Sequence, residues 1–222
     1  MFEFTSKEMA EFEPEKEVKK VGYTVHDMEQ GSDEWKSIKI WLITSSNILS
    51  ICGTPVGRKT YCLEKACERL TGKRDEIFVS KDMQRGIDLE PVARELYSFI
   101  SNVNVVEIGI ATINDFVGSS PDGLVGDDGL IEIKCPKSKG HLNVVIGGID
   151  AINKVYIYQM QHQMLVMDRK WCDFVSYNED FENPIHIIRV MRDEKIITKI
   201  KECTDLAIQE IQINIDAYYN NK

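Results

Sequence analysis

The 222-residue chain carries 36 acidic against 27 basic residues, a net charge of −9. That balance excludes a globally basic nucleic-acid coat, while a local basic groove on an acidic body stays compatible with it. With 43% hydrophobic residues, 14 Gly and 6 Pro, the composition excludes a disordered or collagen-like chain and fits one folded domain or two small ones, burying about 70% of the unfolded surface; the expectation taken forward is a single domain over 1–222.

Residues 1–25 are the candidate for a loosely held N-terminal arm. The first twenty carry six Glu and four Lys and lack the apolar core of a secretion signal. From Ser32 the run SDEWKSIKIWL predicts a helix, with Ser32 as cap and Glu34 in the first turn. Thr44-Ser45-Ser46 predicts the cap of a second, short helix, NILSIC. A longer helix is expected from about Thr60 to Leu70 and another from roughly Lys81 to Ile100. The period then changes. Val103 to Gly109 and Ala111 to Ile113 are β-branched runs, and PDGLVGDDGLIEIKCP has strand–turn–strand punctuation. Asp150 to Met167 returns to helical spacing; Lys170 to Tyr177 and Pro184 to Met191 predict strands. Asp193 caps a last amphipathic helix, with Ile196, Ile197, Ile200, Cys203, Leu206, Ile211 and Ile215 on its apolar side. This order predicts an α/β or α+β domain with a mixed sheet. No window of 18 apolar residues exists, so no transmembrane helix is expected.

The hairpin holds the chemistry. Alternate residues of a strand share a face, so Leu130, Glu132 and Lys134 fall on one side and Ile131 and Ile133 on the other. A three-residue loop Asp127-Asp128-Gly129, with Gly in the left-handed position, is a frequent hairpin type. It sets Leu124 opposite Glu132 and Asp122 opposite Lys134, and cross-strand partners share a face. A four-residue loop would separate Asp122 from Glu132 instead. Two carboxylates and a lysine on one face suit phosphodiester hydrolysis. Carboxylates hold Mg²⁺, a hard cation that prefers oxygen ligands, and an ammonium orients water and stabilises developing charge. The bland alternative is a half-exposed structural hairpin.

SPDGLVGDDGLIEIKCP resembles the core of the PD-(D/E)xK nucleases, in the branch of phage lambda exonuclease and the YqaJ-like viral recombinases. QGSDEWKSIKIWLITSSNI, GIDLEPVARELY, YIYQMQHQM and WCDFVSY agree in the same order. The resemblance covers nearly all of the chain beyond the first twenty-five residues. It implies a restriction-endonuclease-like α/β core with a central mixed sheet flanked by helices. It implies two Mg²⁺ ions, for which Mn²⁺ substitutes, and 5′-to-3′ degradation of one strand of linear double-stranded DNA to mononucleotides. It further implies a homotrimer threaded by DNA ends and a single-strand annealing partner in phage-type recombination. An endonuclease or nickase with the same core, and a DNA-end-binding scaffold without activity, are the competing readings.

By the same resemblance Asp122 and Glu132 match the metal-binding acids, the Ile133 carbonyl a backbone metal ligand and Lys134 the catalytic lysine. Glu90 matches a helix-borne glutamate beside the metals and Gln159 an active-site glutamine. Ser46, Ser120 and Lys39 match positions that hold a terminal 5′-phosphate. Lys39 stands where relatives usually carry Arg, and Trp41 where many carry Gly. Lys makes no bidentate fork to phosphate, which implies a weaker preference for phosphorylated ends.

Read without the resemblance, these residues keep alternatives. Glu90 lies four before Arg94, the spacing of a surface ion pair; Pro91 kinks that helix or marks its first turn. Gln159 and Gln163 interrupt a stripe of Ile152, Val155, Tyr156, Val166 and Met167, so Gln159 is either a core strut or reaches a polar site. Six basic against two acidic residues between 58 and 74 read as a solvated helix face or a backbone-tracking patch. The six Cys lack a CxxC pair and the four His are scattered. Free thiols in a reducing cytoplasm, that of a bacterial host for a phage protein, are therefore expected.

Overall fold

The structure, a computed structural model, describes residues 17–20, 22–74 and 79–221. Two five-stranded mixed sheets form its frame. Strands β1 (Glu17–Lys20) and β2 (Tyr23–His26) lead into α1 (Asp33–Ile40), where Ser32 accepts from the Trp35 N–H as expected. Then come β3 (Ile43–Thr44), a 3₁₀ turn over Ser45–Asn47, α2 (Ile48–Gly53), α3 (Pro55–Thr71) and α4 (Lys81–Ser101). The middle of the chain supplies β4 (Val105–Val106), β5 (Ile110–Asn114), β6 (Val117–Ser119), β7 (Gly123–Val125) and β8 (Gly129–Lys134). Next are α5 (Ser138–Gly147), α6 (Lys154–Val166), β9 (Trp171–Tyr177), β10 (Ile185–Met191) and α7 (Glu194–Asn220), capped by Asp193.

The first sheet has the order β1-β2-β5-β6-β3 and the second β10-β9-β8-β7-β4. Each is antiparallel except for one parallel pair, β3 with β6 and β8 with β9. The one expected mixed sheet is thus two. Part of the expected arm is a hairpin: β1 pairs antiparallel with β2 along the edge of the first sheet. The rest of the arm, residues 1–16 and 21, lies outside the described residues.

Helix α6 packs against strands of both sheets and is buried almost all round. Met160 and Met164 enter the core between the sheets with Leu130, Cys172 and Phe174. The expected single apolar stripe with two amides is therefore replaced by a mostly enclosed helix, and Val155 is exposed. Its buried amides are met individually, as burial requires. Gln161, for one, donates to the Met191 carbonyl and accepts from the Asp193 N–H. On the other face of β8, Ile131 and Ile133 pack with Ala93 and Tyr97 of α4. Helices α2, α3 and α7 close a third cluster through Ile51, Cys62, Ala66, Ile200, Ala207 and Ile211. The buried stripe of α7 runs 197, 200, 204, 207, 211, so Leu206 falls outside it and is exposed. Pro91 sits inside α4 rather than in its first turn.

Most of the basic run from 58 to 74 is structural. The Lys65 ammonium, almost wholly buried, donates to the carbonyls of Lys39 and Ile40 and pairs with Glu68. Arg69 donates to the Trp41 carbonyl, Arg74 pairs with Glu68, and Arg58 with Glu210. Lys65 and Arg69 of α3 thus hold the last carbonyls of α1, where a helix end carries partial negative charge. Trp41 has φ −84°, an ordinary right-handed value, so no glycine is required at this position.

Candidate active site

The hairpin brings the expected residues together, in a register two residues from the expected one. Gly123 faces Ile131, Leu124 faces Leu130 and Val125 faces Gly129, so the loop is Gly126-Asp127-Asp128. Gly126, not Gly129, takes the left-handed conformation, at φ +52°. Gly129 is needed for space: a Cβ there would lie 2.2 Å from the Trp171 ring. A slip of two preserves the faces, because the side-chain period of a strand is two. Extended by one pair, the register sets Asp122 across from Glu132.

Asp122 occupies the bend before β7, and its Oδ2 accepts from the Ile133 N–H at 2.6 Å. Burial drives its carboxyl well above the ordinary carboxylate range; the charges of Glu132 and Glu90 add to this, while Lys134 and the Ile133 N–H oppose it. Glu132 is completely buried. Its Oε1 accepts from Gln159 Nε2 at 2.7 Å and pairs with the Lys134 ammonium; its Oε2 accepts from Gln163 Nε2 at 2.6 Å. Burial works against the charge on Lys134, yet Glu132 and Asp122 outweigh it and hold the ammonium's pKa above its usual value. The Tyr156 ring lies 5.0 Å from that ammonium.

Gln159 thus reaches the polar site, one of the two readings left open by its spacing. Gln163, one helical turn on, does the same; the sequence marks it as the second amide of the stripe, and only Gln159 is expected at the site. Glu90 forms the i,i+4 pair with Arg94 and also stands within electrostatic reach of the group: burial, then Glu132 and Glu107, raise its carboxyl pKa against the pull of Arg94 and Lys134. Arg94, expected only as a surface partner of Glu90, also supports Asp122. Its Nε donates to the Asp122 carbonyl at 2.9 Å, and its guanidinium also pairs with Glu107 at 2.6 Å.

Of the remaining three residues, Lys39 and Ser120 lie at Trp35, and Ser46 contacts Thr44 instead. The Lys39 ammonium sits 3.6 Å from the centre of that ring, and Trp35 Nε1 donates to Ser120 Oγ at 2.8 Å. Ser120 in turn donates to the Gly109 carbonyl at 2.6 Å. Ser46 is exposed, with its Oγ 3.4 Å from the Thr44 hydroxyl. Burial, then Arg74 and Lys65, lower the Lys39 pKa to about 7. Such crowding of positive charge is relieved by an anion.

The donor set fits a hard divalent cation. Asp122, Glu132 and the Ile133 carbonyl offer oxygens, and a cation would offset both the burial and the carboxylate repulsion that raise Asp122 and Glu90. Among the described residues no group of three or more His, Cys, Asp or Glu is gathered for a metal; the Glu90 carboxylate is turned to Arg94.

Comparison with known proteins gives a family and a fold. The YqaJ-like viral recombinase domain matches residues 34–170. The chain is 35% identical to an alkaline exonuclease, LHK-Exo from Laribacter hongkongensis, over 86% of this chain and 97% of that one, with a TM-score of 0.79. The structure of LHK-Exo in complex with dAMP matches equally well. A phage-related exonuclease from Haemophilus somnus 129PT shares the fold, at 21% identity over 79% of this chain and 96% of that one, with a TM-score of 0.67. A comparison with curated proteins finds no match. Among the described residues no helix is long and apolar enough to cross a membrane. The chain belongs to the YqaJ-like viral recombinase family.

Proposed function

We propose that this protein is a deoxyribonuclease that degrades one strand of linear duplex DNA from its 5′ end to mononucleotides, acting as one nuclease domain. Deoxyribonuclease activity rests on the family and on the 35% identity to an alkaline exonuclease. The observation that carries the catalytic reading is the convergence of Asp122, Glu132 and Lys134, with Glu132 anchored by two amides. The support for action at strand ends is the resemblance and the Lys39–Trp35–Ser120 cluster.

Asp122, Glu132 and the Ile133 carbonyl would hold Mg²⁺, with Mn²⁺ as a substitute. When bound, the metal polarises the scissile phosphoryl oxygen and lowers the pKa of water beside it. The other roles belong to the chain. Gln159 and Gln163 fix the Glu132 carboxylate. Lys134 donates to the attacking water and to charge developing on the phosphoryl oxygens. Arg94 fixes the backbone of Asp122. Lys39, Ser46 and Ser120 hold the terminal 5′-phosphate. Contacts mainly to phosphates make cleavage indifferent to sequence. A DNA-threaded homotrimer and a single-strand annealing partner complete this reading.

The test is product analysis on a duplex labelled at one 5′ end, with Mg²⁺ and with chelator. Early release of labelled mononucleotide, only with metal, is expected. Shortening from the unlabelled 3′ end, or labelled oligonucleotides as first products, would refute the assigned direction and mode.

A further inference from the structure

Strands β3 and β6 run parallel with Thr44 beside Gly118. Just past this pair, where Ser45–Asn47 turns into a 3₁₀ helix, Ser45 meets Ser119, and Ser46 and Ser120 are their next neighbours along the chain. The inner pair is closed and buried: Ser45 Oγ donates to Ser119 Oγ at 2.7 Å. His162, a wholly buried residue of α6, completes the chain, with its Nδ1 2.7 Å from Ser45 Oγ. Since the Ser45 proton is committed to Ser119, Nδ1 must be the donor to Ser45. That assigns the neutral tautomer with its proton on Nδ1 and a lone pair on Nε2, and Nε2 has no partner among the described residues. Burial lowers the His162 pKa to about 3, so the ring is neutral in any physiological buffer. A hydroxyl held by both a donor and an acceptor no longer rotates. The helix that makes this bond also carries Gln159 and Gln163 on Glu132.

We infer that His162 is a positioning residue for recognition of the terminal 5′-phosphate: by locking Ser45 onto Ser119 it fixes the spacing of their outer neighbours, Ser46 and Ser120. The inference rests on reading Ser46, Ser120 and Lys39 as the phosphate pocket. It adds that the selectivity of the pocket is set from beneath, by a side chain that touches no DNA. One helix then holds both the hydrolytic carboxylate and the floor of the end-binding pocket in a fixed relation.

The test uses the full chain with Mg²⁺ on linear duplexes bearing a 5′-phosphate or a 5′-hydroxyl. Both kcat and KM are measured for the wild type, His162→Leu, His162→Asn and Ser45→Ala, with thermal unfolding followed in parallel. The wild type should prefer phosphorylated ends. His162→Leu and Ser45→Ala should each reduce that preference at least about tenfold, because a misplacement near 1 Å costs up to about 10²-fold. The double variant should lose no more than the worse single one, since both break one chain of bonds. His162→Asn, whose amide can donate to Ser45, should recover most of the preference. Full preference in Ser45→Ala, or equal slowing on both ends, would make His162 a core residue only and overturn the inference. Ser45→Ala removes one oxygen and decides the matter if His162→Leu does not fold. A wild type without preference would refute the pocket itself, and the inference with it, a result distinct from a preference that survives in the variants.

Discussion

Gln163 of α6 donates to Oε2 of Glu132 at 2.6 Å, where neither residue reaches solvent. Its partner acid is a buried carboxylate, and a buried acceptor stripped of its donor keeps the full cost of desolvation. Gln163→Leu should therefore destabilise the protein by about 1–3 kcal/mol and lower turnover. Gln159→Leu should destabilise less, because the Lys134 ammonium remains on the same oxygen, Oε1. Denaturant unfolding of the two variants checks the order; equal or reversed losses would contradict this division of labour.

Arg94 ties three acceptors at once, the Asp122 carbonyl, Glu90 and Glu107. A lysine cannot reproduce that fork. Arg94→Lys should cut kcat by about 10²-fold through a misplaced Asp122, while KM for DNA changes little. A change confined to KM would make Arg94 a DNA contact instead.

Lys134→Met should bind metal and duplex yet turn over at least about 10²-fold more slowly, the usual scale for a lost charge-stabilising contact. Loss of DNA affinity with unchanged kcat would assign it to phosphate anchoring.

Lys39 gives a pH dependence with a definite sign. Its folded pKa, about 7, lies below the ordinary 10.5, so between these values the unfolded chain binds more protons. This residue's contribution to stability therefore rises with pH across that window and is flat below it. Recognition runs the other way, because only the ammonium attracts phosphate. Preference for 5′-phosphorylated ends should fade as pH rises above 7, with bound phosphate shifting the midpoint upward. Lys39→Arg, always charged, should hold its preference to higher pH. Parallel profiles for the two proteins would remove Lys39 from the pocket.

Much of this was legible in the sequence because it is local. Ser32 and Asp193 cap the helices they precede, and the acids of the hairpin share a face under any even register shift. The turn itself was misplaced because Gly126 and Gly129 both suit a hairpin loop; only the Trp171 ring, forty-two residues on, shows why the second is glycine. Helix α5 was missed because Gly140, Gly147 and Gly148 and a Val-Val-Ile run argue against a helix; its burial of His141 and Val144 supplies what propensity does not. Sequence alone does not assign Arg94, Gln163, Trp35 and His162 to the site, since their partners there lie 28 to 117 residues away. Sequence spacing gave a signal for two of them: Arg94 is four residues after Glu90, and Gln163 four after Gln159.

The central claim is that Asp122, Glu132 and Lys134 form a metal-dependent centre acting at DNA ends. Equal masses of linear duplex and covalently closed circle, incubated with wild type and with Asp122→Asn, with and without Mg²⁺, test it most directly. The wild type should consume the linear duplex only when Mg²⁺ is present and leave the circle intact. Asp122→Asn should leave both substrates intact while unfolding at a temperature no lower than the wild type's, since it relieves the repulsion with Glu132 and Glu90. Wild-type-like turnover by Asp122→Asn, or cutting of the closed circle at a rate comparable to that of the linear duplex, would contradict the account.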